Sequence, residues 1–138
     1  GSNKGIQLCT EFDASVSHIK VDKEQIKRAF VNLIDNSIEA MGGRGKIAIK
    51  TSLSDELDVL RVEVKDWGPG IPTQDKDRLF MPYFSTKRSG TGLGLAIVNK
   101  IISDHNGYIR VSDNRPAGTI MTIELPIDSR VSRAVPAV

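Results

Sequence analysis

A two-layer α+β fold, with helices on one face of a mixed, mostly antiparallel sheet, follows from three observations. β-rich runs pair across short polar turns as hairpins, two apolar-periodic stretches carry helix caps, and no internal repeat or low-complexity tract interrupts the 138 residues. That length suits one globular domain with a single core. Its expected extent is 6–127, with 1–5 as a cloning scar (Gly1-Ser2) and lead-in, and 128–138 as a loose tail.

Each element has its own warrant. Ile6, Leu8, Thr10 and Phe12 alternate with polar neighbours, which predicts a half-buried strand. Asp22 can accept the free amides of a first helical turn, Gln25 completes a capping-box pattern, and Gly42-Gly43 ends the run, so a long helix is predicted over about Lys23 to Met41. Lys46 to Ser52 and Val59 to Lys65 read as a hairpin joined through Ser54-Asp55-Glu56, with Asp66 at its exit. Leu93 to Asn106 forms a second helix stopped by Gly107. Tyr108 to Ser112 and Thr119 to Leu125 close a second hairpin around Asn114-Arg-Pro-Ala-Gly118.

Composition excludes several classes. A net charge of +2, without a basic run carrying interleaved aromatics, argues against a nucleic-acid surface. The single cysteine, Cys9, cannot form an internal disulfide. The apolar stretches fall short of the roughly 18 residues that would cross a bilayer. The chain is expected to be cytoplasmic and to make no membrane contact itself.

Three ordered motifs carry the chemistry. On the long helix, Gln25, Arg28, Asn32, Asp35, Asn36 and Glu39 fall within an arc of roughly 100°, opposite Ile26, Phe30, Leu33, Ile34, Ser37, Ile38 and Met41. A solvated face would use Glu, Lys or Gln more cheaply. Asn32 and Asn36, one turn apart, therefore suggest amides that hold Mg²⁺ beside a polyphosphate. Asp66 precedes Gly68 and Gly70, so its carboxylate stands before a tight turn, where it either opens a simple hairpin turn or accepts the exocyclic amine of adenine. Gly90-Thr91-Gly92-Leu93-Gly94-Leu95 lacks the spacing and the βαβ setting of a dinucleotide fingerprint, but it feeds a helix N-terminus whose amides favour phosphate. Lys87 and Arg88, just before it, fit either terminal phosphates or a solvated loop. Thr73 to Ser89, with Leu79-Phe80-Met81 and Tyr83-Phe84, has the composition of a lid with apolar anchors. The ordered set points to an ATP site.

On these residues the chain resembles the catalytic and ATP-binding domain of sensor histidine kinases, in the superfamily that also holds gyrase, Hsp90 and MutL. Asn32 to Met41 matches the N box, Asp66 to Gly70 the first glycine box, Leu79 to Phe84 with Ser85-Thr86-Lys87 the F box, and Gly90 to Leu95 the second glycine box. Gly118-Thr119 matches the last nucleotide-contacting motif, and the Phe-Ser-Thr-Lys wording resembles the NtrB- and NtrY-like nitrogen-regulation branch. The resemblance implies a Bergerat-type sandwich that binds ATP with Mg²⁺. It assigns Asn36 to the metal, Asn32 to its shell or the phosphates, Asp66 to adenine with Thr119 in support, and Lys87 to the phosphates. Arg88, Thr91, Gly92, Leu93 and Gly94 complete the expected ATP-binding set, with Gly68 and Gly70 shaping the loop. Glu39 and Trp67 depart from the family's usual residues.

Hydrolase branches carry a Glu four residues before the metal Asn, where it can serve as a general base; Asn32 stands there in this chain, and an amide cannot take the proton. Phosphoryl transfer is thereby favoured over steady hydrolysis. The implied acceptor is a histidine on upstream dimerisation helices, with a response regulator further on. His18 and His105 do not fit that role, so the chain by itself is expected to be a monomer that binds ATP without phosphorylating itself; stoichiometric phosphohistidine on it would overturn that expectation. A serine kinase of the anti-sigma-factor type and a non-enzymatic nucleotide-binding module are the alternative readings.

Overall fold

The structure is a computed structural model that describes residues 6–11, 21–54, 58–81 and 94–127. Strand β1 (Ile6–Glu11) is followed by helix α1 (Lys23–Ala40), the hairpin β2 (Gly45–Ser54) and β3 (Val59–Asp66), the short α2 (Thr73–Lys76), helix α3 (Gly94–Asp104) and the hairpin β4 (Tyr108–Asp113) and β5 (Thr119–Pro126). The five strands form one sheet in the order β1-β2-β3-β5-β4, parallel at β1-β2 and antiparallel elsewhere.

Period-two alternation separates the faces of this sheet. Along β3, Leu60, Val62, Val64 and Asp66 are buried, and the register aligns them with Leu53, Thr51, Ile49 and Ile47 on one side and with Leu125, Ile123, Met121 and Thr119 on the other. α1 and α3 cover this face. Ala29, Leu33 and Ser37 form the buried line of α1, and Val98, Ile101 and Ile102 that of α3. Truncating a side chain as deeply set as Leu33 to Ala costs about 2–5 kcal/mol. The predicted two-layer class holds, and each expected strand and long helix is found within two residues of its bounds.

Three local expectations change, and a fourth falls on a residue outside those described. Leu8 lies in register with buried Ile47 yet is 57% exposed, because β1 is an edge strand at the margin of the helical layer. Asp22 does cap α1, accepting from the Glu24 and Gln25 N–H groups, but its own N–H donates to His105 Nε2 at 3.0 Å rather than to Gln25. His105 Nδ1 lies 2.8 Å from the Ile101 carbonyl, so a neutral ring with the proton on Nδ1 satisfies both contacts. The left-handed residue ending α3 is Asn106, at φ 60°, not Gly107. The Asn106 and Gly107 N–H groups close a Schellman motif onto the Ser103 and Ile102 carbonyls, while Gly107 is needed because a Cβ there would stand 2.5 Å from the Glu124 carbonyl oxygen. Finally, α3 is described from Gly94; Leu93 lies outside the described residues.

α1 and α3 thus run antiparallel, tied at one end by Asp22 and His105. At the other end, a Cβ on Gly94 would lie 3.5 Å from Asn36 Nδ2. Among the described residues no helix is long and apolar enough to cross a membrane.

The opposite face of the sheet is polar, and Glu124 is its main charged node. Arg61 approaches Glu124 Oε2 at 2.7 Å, and Arg110 approaches Oε1 at 3.2 Å. The Arg61 hydrogen bond, with further help from Arg110, holds the Glu124 carboxyl below its ordinary pKa although burial opposes this. With the folded pKa below the unfolded one, the stabilisation is complete above the ordinary carboxylate range and is lost as acid titrates the native carboxylate. Glu124→Gln is therefore expected to cost about 1 kcal/mol near neutral pH, and denaturant melts of the two proteins should converge in acid; an equal gap at every pH would contradict this.

Candidate functional site

The amide pair sits where α1 meets the start of α3. Of the six polar residues on that arc of α1, Gln25, Arg28, Asp35 and Glu39 are exposed, and only Asn32 and Asn36 are half-buried. The two asparagines, poor choices for a solvated face, are the two residues withdrawn from it. Asn36 Nδ2 donates to the Asn32 carbonyl at 2.9 Å, which fixes the plane of its amide. Gly94 faces that same amide, so the first described turn of α3 lies beside Asn36.

Asp66 ends β3 on the helix-covered face, at 6% exposure. It occupies the rung Leu8, Ile47, Asp66, Thr119, Asp113, one step beyond the apolar rung Ile49, Val64, Met121, Val111. Both of its described carboxylate bonds fall on Oδ1, from Gly68 N–H at 3.0 Å and Thr119 N–H at 3.2 Å. Thr119 therefore meets Asp66 directly through its backbone.

Three backbone segments converge around this carboxylate. Gly68 lies against the end of α1, where a Cβ would be 3.0 Å from Met41 Cγ and 3.3 Å from Asp66 Oδ1. Close packing explains this glycine, while Gly70 needs its left-handed φ of 83° as well. Gly70 abuts the Gly118 carbonyl, and Gly118, at φ 112°, lies so close to the Asp66 carbonyl that no Cβ fits. Gly68 is thus packed against side chains, whereas Gly70 and Gly118 are places where one main chain rests on another.

Trp67 turns the other way. Its ring lies 4.9 Å from Lys46 Nζ, and Lys46 points to the face opposite Ile47 and Asp66. Of the apolar residues expected to anchor a lid, Leu79 is buried, Phe80 half-buried and Met81 54% exposed, while Tyr83 and Phe84 lie outside the described residues. Lys76 of α2 donates to the Ile71 carbonyl at 3.0 Å and pairs with Asp113 at 2.9 Å, tying α2 to the end of β4.

Of the residues singled out from sequence, the fold joins Asn32, Asn36 and Gly94 at one locus and Asp66, Gly68, Gly70 and Thr119 at another, with Met41 linking α1 to the second. Lys87, Arg88, Thr91, Gly92 and Leu93 lie outside the described residues, as does His18. Sequence reading missed Asn114, whose Nδ2 donates to the Asp66 carbonyl at 2.7 Å; its place in a turn was the only available signal. An open groove of about 470 Å³ runs beside the amide pair, lined by Asp35, Ile38, Glu39, Gly42 and Gly43, and does not include Asp66.

No cluster of three or more His, Cys, Asp or Glu able to hold a metal occurs among the described residues. A hard cation held through an amide oxygen takes water and bound phosphate oxygens as further ligands, the mode in which Mg²⁺ is usually held. The donor set fits a magnesium–nucleotide complex and does not fit a closed structural metal site.

Residues 21–129 match the model of the histidine kinase-, DNA gyrase B- and HSP90-like ATPase family. The sensory histidine kinase/phosphatase NtrB of Rhodobacter capsulatus is 39% identical over 131 residues, covering 87% of this chain but 37% of that protein, so the chain spans little more than a third of this relative's length. Among solved structures, the catalytic domain of histidine kinase ThkA superposes with a TM-score of 0.78 at 40% identity, covering 89% of this chain and 80% of that one. A structure of ThkA in complex with the response regulator TrrA superposes with a TM-score of 0.74 at 37% identity, covering 88% and 34%.

Proposed function

The chain belongs to the histidine kinase-, DNA gyrase B- and HSP90-like ATPase family, with an NtrB among its relatives, and on that premise we propose that it binds ATP with Mg²⁺ and donates the γ-phosphoryl group to a histidine. The acceptor lies on dimerisation helices outside this chain, and the phosphoryl group passes on to a response regulator. The observation that carries the reading is Asp66: a carboxylate on the helix-covered face of the sheet, braced on one oxygen by two N–H groups, one step beyond a rung of apolar side chains.

Asp66 accepts the exocyclic amine of adenine in this account, and the packed glycines Gly68, Gly70 and Gly118 let the base approach main chain that any Cβ would screen. Asn36 offers its amide oxygen to Mg²⁺, and Asn32 supports the metal shell or the phosphates. Phosphate oxygens would be met by N–H groups of Thr91, Gly92, Leu93 and Gly94, which lead into α3 in the sequence, and by the charges of Lys87 and Arg88. When bound, the metal neutralises charge on the phosphates. The protein contributes positioning, which is most of what phosphoryl transfer requires. Asn32 stands where a hydrolase would place a carboxylate base, so water is not activated and the phosphoryl group is kept for the acceptor.

Calorimetric titration with ATP, with and without Mg²⁺, tests this. Asp66→Asn is expected to weaken ATP binding by about 10- to 100-fold, the worth of a hydrogen bond to a charged group in a dry site. Asn36→Ala is expected to retain metal-free binding while losing the gain from Mg²⁺. Saturable binding that neither substitution disturbs would refute the assignment.

A further inference from the structure

Asn114 is 9% exposed and sits in the turn between β4 and β5, and its polar groups are committed on three sides. Its N–H donates to the Gly118 carbonyl at 3.0 Å, and its Oδ1 accepts the Arg115 N–H at 2.8 Å, which together close the turn. Its Nδ2 then reaches a residue 48 positions earlier, donating to the Asp66 carbonyl at 2.7 Å. The first two bonds would form in a turn anywhere on a surface. The third has no local purpose, and it ends on the residue proposed to read the base.

The effect on Asp66 follows from which atoms are held. The carbonyl belongs to the peptide that leads into Trp67 and the glycine turn, so fixing it fixes ψ of Asp66 and the point from which the turn to the Gly68 N–H, a donor to Oδ1, departs. The second donor to Oδ1, the Thr119 N–H, directly follows Gly118, whose carbonyl Asn114 also holds. Both groups that orient the carboxylate are thus downstream of Asn114 contacts, one through the Asp66 peptide and one through the Gly118 carbonyl. Lys76 pairs with Asp113, the residue that precedes Asn114 at the end of β4.

We infer that Asn114 is a positioning residue for base recognition: its amide locks the Asp66 main chain so that Oδ1 stays on its two N–H donors and Oδ2 is aimed at the exocyclic amine. This rests on the proposed adenine-reading role of Asp66. Asn114 touches no ligand; it acts on selectivity through Asp66.

The substitution Asn114→Asp tests it with little change of shape, because the acceptor that closes the turn survives while the donor to the Asp66 carbonyl becomes a repelling oxygen. The probes are ATP and purine riboside triphosphate, which lacks the 6-amino group, titrated calorimetrically. Wild type is expected to prefer ATP by about 10-fold or more, the usual worth of a hydrogen bond a buried site is built to make. In Asn114→Asp that preference should fall to within about threefold, mostly through weaker ATP binding, with the affinity for the analogue changed by less than about threefold. If thermal melts show that this variant does not fold, Asn114→Ser, which keeps a short turn acceptor without the reach, carries the same expectation. Parallel weakening of both nucleotides at an unchanged ratio would mean a merely structural asparagine and would overturn the inference. No preference for ATP in wild type would overturn the reading of Asp66 itself, and this inference with it.

Discussion

A carboxylate placed on the buried face of a sheet is the constraint around which the rest of this fold is arranged. Leaving such a group in an apolar layer without partners is among the costliest things a small domain can do. Here the cost is offset by two N–H donors on Oδ1, and each comes from a segment that must fold tightly to reach it. Gly68 has to lie against the end of α1, and Gly118 has to lie against the Asp66 carbonyl. The glycines are therefore a consequence of burying Asp66 within reach of main-chain donors rather than independent flexible joints.

The helical layer sets the second locus relative to the first. α1 and α3 meet at Asp22 and His105 at one end and at Asn36 and Gly94 at the other. Met41, one residue past α1, packs on Gly68, so the helix that carries the amides also touches the turn that holds Asp66. The amide pair and the buried carboxylate are thus spaced by one rigid helix.

Much of this was legible in the sequence because the signals were local. Asp22 and Gly42-Gly43 bound α1 through capping chemistry that acts over one turn, and the alternation of β3 names its buried face residue by residue. Asn32 and Asn36 stood out by being poor choices for a solvated surface, and they are the two residues of their arc that leave it. What escaped was long-range. Asn114 bonds Asp66 across 48 residues, and His105 displaces Gln25 from the cap of α1 across 83, and neither pairing leaves a trace in nearby sequence. Leu8 misled because alternation reports which face a residue points to, not whether another layer covers it. Trp67 follows the same alternation, which turns its ring to Lys46 on the open face rather than toward Asp66.

Backbone amide chemical shifts during a titration with magnesium and ATP test the central claim at the level of single residues. The account predicts saturable shifts at the Gly68 and Thr119 amides, which share Asp66 Oδ1, together with Asn36 and Gly94, while Arg61, Glu124 and Arg110 on the open face stay in place. Saturable shifts confined to the open face, or to the groove along Asp35 and Gly43, would contradict it.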